Sequence, residues 1–64
     1  MNREEVVALM TDIINNLNRM IGQESGVPEE EIEAMIAQHQ DQLNYVNLNL
    51  YENLVRFGVI NESN

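Results

Sequence analysis

Apolar residues recur every three or four positions along two stretches of this chain, with a break between them. In the first stretch the series runs Val6, Met10, Ile13, Leu17 and Met20, flanked by Val7, Ile14 and Ile21 seven apart. That spacing is one face of an α-helix, and the two rows together are wider than a two-stranded seam requires. The helix therefore calls for more than one neighbour. Its other face carries Glu4, Asp12, Asn15, Asn18, Arg19 and Gln23 and is expected to be solvated. In the second stretch Ile32, Met35, Ile36, His39, Leu43, Val46, Leu50, Leu54 and Phe57 share a face. A second row, Leu48, Tyr51 and Val55, lies about 120° round the same helix. One hairpin covers only one of these rows, so the other is expected to meet another chain or the tail. Val46 to Leu50 also alternates with period two, but the helical rows continue past both ends of it, which rules against a strand.

The ends of each stretch carry stop and start signals. Asn2 can accept from the N–H three residues on, and Glu5 can reach back, a capping-box arrangement. Gly22 to Val27 is the break: Gly22 and Gly26 can each take the left-handed conformation that ends a helix. Pro28 suits a first helical residue, and Glu29, Glu30 and Glu31 follow it in the positive field of that terminus. Arg56 in the last turn and Gly58 beyond it close the second helix. The prediction is all-α: helices over about 3–22 and 28–57 in an antiparallel hairpin, one domain over 1–64 with a tail at 58–64. Polar Gln38 to Gln42 is a place for a bend. Val59 and Ile60 should fold back or dock, and residues 61–64 should fray.

Sixty-four residues with no Cys give neither a large core nor a disulfide to staple a small one. Self-association or folding on a partner is the physical expectation. A homodimer forming a four-helix bundle would have a core of Val6, Met10, Ile13, Leu17, Met20, Ile32, Ile36, His39, Leu43, Val46, Leu50, Leu54 and Phe57. Met10, Met20 and Met35 then read as core filler. Ten Asn and four Gln are many for so short a chain. Either they face water, or some point inward and fix register, as one buried Asn does in coiled coils.

Eleven acidic residues against three Arg and no Lys give a formal charge of −8. Nucleic-acid affinity comes largely from neutralised phosphates, so direct DNA or RNA binding is disfavoured. The same sign disfavours anionic membranes, and no apolar run approaches the ~18 residues of a membrane span. A cytoplasmic location is expected, and a basic protein surface is the partner this charge favours. His39, the sole His, has Met35, Ile36, Gln42 and Leu43 at helical ligand spacing, none a convincing metal ligand. If it met its own copy across a dimer axis, assembly would respond to pH. The acids Glu29, Glu30 and Glu33 lack the central Gly and alternating ligands of a calcium loop, and read as a helix start that can double as a docking patch. No Cys, phosphate loop or Ser–His arrangement suggests catalysis. The expectation is no enzyme, no cofactor and no metal.

A helical hairpin of this length closing on Arg56-Phe57-Gly58 resembles the plasmid RNA-binding Rop proteins, which implies pairing into a four-helix bundle. Where Rop proteins place basic and aromatic groups on the first helix to hold RNA, this chain has Ile13 and Ile14 and no Lys. The resemblance therefore concerns architecture. The functional expectation is a small protein-binding regulator or inhibitor that occludes its partner, such as a DNA-binding protein or nuclease. Leu48, Tyr51, Val55, Val59 and Ile60 would be the contact row, with Tyr51 and Phe57 as aromatic anchors. The alternatives are a structural or chaperone-type subunit and, more remotely, a Rop-like RNA binder.

Overall fold

A computed structural model describes residues 2–61 of the chain. Two helices, α1 (Arg3–Glu24) and α2 (Glu29–Arg56), pack against each other as an antiparallel hairpin, with no strand among the described residues. The molecule is a rod of 43 × 19 × 17 Å, about the length of α2 alone. α2 runs unbroken through Gln38 to Gln42, so the polar stretch does not bend it out of helix. Val46 to Leu50 is helical as well.

The caps follow from the local sequence. Asn2 Oδ1 accepts the Glu5 amide at 2.8 Å, closing the N-terminus of α1. At its other end Ser25 is the cap and Gly26 takes φ +77°. The Val27 amide then donates to the Gly22 carbonyl at 2.9 Å, and the Gly26 amide to the Gln23 carbonyl at 3.1 Å. That pair of bonds is a Schellman stop. The same pair recurs after α2: Gly58 has φ +77°, with Val59 donating to Leu54 at 2.9 Å and Gly58 to Val55 at 3.1 Å. Val59 and Ile60 are thus drawn back over the last turn, since the Ile60 amide also reaches the Leu54 carbonyl at 3.2 Å.

Two boundary expectations are corrected. Gly22 does not stop α1; it lies inside the helix, where a Cβ would stand 2.7 Å from Ile32 Cδ1. Its lack of a side chain serves close approach to α2 rather than a turn. Pro28 is the cap residue before α2, not its first helical residue, and its carbonyl accepts from Glu31 and Ile32 at 3.0 and 3.1 Å. The predicted fraying of the tail falls largely on residues 62–64, outside the described residues.

In the seam between the helices, some of the amides point inward, the second of the two expectations for them. The seam's fully covered side chains are mostly polar: Thr11 and Asn47 are each 1% exposed, and Asn15 is buried too, alongside Ile32 and Tyr51. Asn47 Nδ2 donates to Thr11 Oγ1 at 3.0 Å, and Thr11 Oγ1 donates to Asn44 Oδ1 at 2.8 Å, with the Val7 carbonyl also within reach at 3.0 Å. One turn nearer the loop, Asn15 Nδ2 donates to Gln40 Oε1 at 3.1 Å. Among the described residues, no buried side-chain polar atom is left without a partner. Buried amides are tolerated for this reason: each desolvated donor has an acceptor.

The expectation that Asn15 faces water is therefore overturned, and so is the exposure of Tyr51, which is 3% exposed within the seam. The physical cause is angular. On α2 the contact line follows Gln40, Asn44, Asn47 and Tyr51, at steps of four and three, between the first apolar row and Leu48 and Val55, and it takes Tyr51 out of the second row. Leu43 and Leu54 on one side of that line, and Leu48 and Val55 on the other, are left half-buried. On α1 the line follows Thr11, Asn15, Asn18 and Gly22, whose small side chains let the helices close up. Two helices bury only a narrow strip of each other, and here the strip is the polar one.

Candidate interaction surfaces

With the seam polar, most of the apolar stripe is displaced outward. Ile13, Leu17, Met20 and Ile21 of α1 and Met35, Val46, Leu50 and Phe57 of α2 are all exposed, Val46 at 58% and Phe57 at 75%. An open groove of about 540 Å³ runs between the helices on this side, lined by Ile21, Ile32, Met35, Ile36, Leu43 and Val46 among others. Leu17 lies one turn before Ile21, and Leu50 one turn after Val46, so both continue the same face. His39, expected in the core of a dimer, also lines the groove and is exposed in the single hairpin. Its Nδ1 lies 2.8 Å from the Met35 carbonyl oxygen, one turn back along α2. No group of three or more metal-ligating side chains gathers anywhere among the described residues.

This face is free of charge over most of its length. Between Glu5 and Glu24 the charged residues of α1 are Asp12 and Arg19, and between Glu33 and Arg56 those of α2 are Asp41 and Glu52. At about 100° per residue all four fall on the opposite side. The borders of the groove along α2 are amides: Gln38, Gln42, Asn49 and Asn53, all exposed.

The opposite side is the charged one. A shallower depression of about 410 Å³ is lined by Val7, Ala8, Asn44, Tyr45 and Leu48, with Arg3 and Glu4 at its edge. Tyr45 is 68% exposed there. Glu5, Asp12, Asp41 and Glu52 lie within two turns on the same sides of their helices, all exposed. Arg3 Nη1 lies 3.4 Å from Glu52 Oε1 across the open end of the hairpin. Arg19 grips Glu33 with two hydrogen bonds, Nε to Oε2 at 2.7 Å and Nη2 to Oε1 at 3.2 Å, while its Nη1 donates to Asn16 at 2.9 Å. These bonds hold the Glu33 carboxyl below the usual carboxylate range, and raise Arg19 in turn.

The residues singled out from the sequence are thus dispersed. Of the proposed contact row, Tyr51 is buried, Leu48, Val55 and Ile60 are half-buried, and Val59 is exposed. Tyr51 is taken up inside the hairpin and Phe57 is not, which separates the two expected aromatic anchors. Of the acidic trio, Glu29 and Glu30 are exposed, and Glu33 is occupied by Arg19. Tyr45 was missed: it belongs to neither apolar row, and its only sequence signal is an aromatic residue on a face otherwise made of acids and amides. No helix among the described residues is long and apolar enough to cross a membrane. Comparison with family models, with curated proteins and with solved structures finds no match to this chain.

Proposed function

We propose that this chain is a small protein-binding regulator that works as a homodimer, a four-helix bundle, and occludes a basic surface of its partner. The observation that carries the reading is the division of the hairpin into an uncharged apolar side and an acidic side. An apolar side of this extent suits permanent burial. The acidic side, with Tyr45 and Leu48 set among Glu4, Glu5, Asp12, Asp41 and Glu52, suits docking: the carboxylates steer a cationic partner and the aromatic ring supplies a desolvated anchor. A net charge of −8 disfavours RNA or DNA as the direct ligand.

The test is capture from lysate on immobilised protein with a stepped salt elution. A triple variant, Tyr45→Ala with Asp41→Asn and Glu52→Gln, serves as the control. The reading expects one basic protein that elutes with salt and is lost with the triple variant. Equal capture by the variant, or capture abolished by nuclease, contradicts it.

A further inference from the structure

The apolar face has one occupant that its chemistry fits better than any other. We infer that a second copy of this chain packs on it, antiparallel, about a two-fold axis that crosses the middle of α2. The assignment rests on the reading of the chain as a self-pairing unit and specifies which face pairs, in which direction, and through which border contacts.

Area is the first argument. The chain exposes 5074 Å² at a mass of 7.4 kDa, whereas a compact folded chain of that mass exposes about 4,200 Å². The excess, on the order of 900 Å², matches the roughly 800 Å² that each partner contributes to a standard stable interface. Eight large apolar side chains on this face, each close to half exposed or more, account for an area of that size.

Charge supplies the second argument. Two chains of −8 repel each other everywhere except through a face without charge, and this face is the uncharged one. Its border is chemically self-complementary. Gln38, Gln42, Asn49 and Asn53 each carry both a donor and an acceptor, so the same row can bond to its own copy, which a row of carboxylates cannot. A foreign helix chosen by electrostatics would call for carboxylates along the groove; they lie on the other side.

Direction follows from the turn. Glu24, Glu29, Glu30 and Glu31 crowd the loop end of the rod. A parallel pair would stack two such clusters, while an antiparallel pair holds them near opposite ends of a 43 Å rod, several screening lengths apart at about 8 Å each.

The absence of Cys makes single-site spin labels clean reporters of this geometry. Nitroxides on Gln42→Cys, at the groove border midway along α2, and on Gln23→Cys, beside the turn, both sit at exposed positions. In the full-length protein the Gln42 labels are expected close together, well under half the rod length, and the Gln23 labels apart by a distance comparable to that length. A dimer with distant Gln42 labels overturns the assignment of the face while leaving self-pairing intact. Close Gln23 labels overturn the antiparallel direction. A monomeric mass with no interspin coupling at the highest concentration overturns self-pairing itself.

Discussion

Asn47 shows how much one side chain decides here. It is covered from water and donates to Thr11, which passes the polarisation on to Asn44. Asn47→Ala leaves a void and a Thr11 hydroxyl short of a donor, and should lower stability by about 1–3 kcal/mol in a urea titration. Thr11→Val combined with Asn47→Leu removes donor and acceptor together, so the pair should be less destabilising than the two single changes summed. Glu33 permits a pH test with a defined sign. Its carboxyl is held low by Arg19, so the pair supports the fold above the ordinary carboxylate range and loses that support as pH falls through the lowered value. The stability difference between the wild type and Glu33→Gln should be largest near neutrality and close up in acid, read from thermal midpoints across pH. A difference that widens in acid would contradict the role given to Arg19.

At the scale of elements, the two Schellman stops make Gly26 and Gly58 costly to replace, because φ +77° disfavours any side chain. Gly26→Ala should lower stability by about 1 kcal/mol. Gly22 is different in kind. Leu is the better helix former, yet Gly22→Leu should lower the thermal midpoint, because its Cβ would stand 2.7 Å from Ile32 Cδ1 and 2.9 Å from Cγ1, and the buried Ile32 side chain would have to give way. Helix existence, the Asn2 cap and the glycine stops were legible in the sequence, since each depends on residues within one turn of each other. The seam was not. Hydrophobic periodicity points to the face that must leave water, and it carries no mark of whether that face meets the other helix or another chain. The signal that was present is the pair of small and amide lines, Thr11-Asn15-Asn18-Gly22 and Gln40-Asn44-Asn47-Tyr51, both at helical spacing. An amide line is ordinarily a surface line, which points Asn15 to solvent, and the apolar row with Leu48 and Val55 points Tyr51 to a second contact, whereas both are buried in the seam.

For the whole molecule, the consequence is an inversion: polar residues fill much of the seam inside the hairpin, and most of the large apolar residues are left on its surface, where the proposed second copy would pack. Adding a charge to the apolar face should therefore weaken assembly far more than adding it to its neighbour on the acidic side. Val46→Asp is expected to raise the dimer dissociation constant by about a hundredfold or more, and Tyr45→Asp to change it little, both read by sedimentation. A seam of amides stabilises a lone hairpin poorly, since hydrogen bonds exchanged with water yield only about 1 kcal/mol each. Folding and pairing should then be one process. The most direct test is a dilution series followed by light scattering and circular dichroism together. The account predicts that mass falls from dimer to monomer and that helicity falls with it. A monomer that keeps its full helicity at every concentration would contradict it.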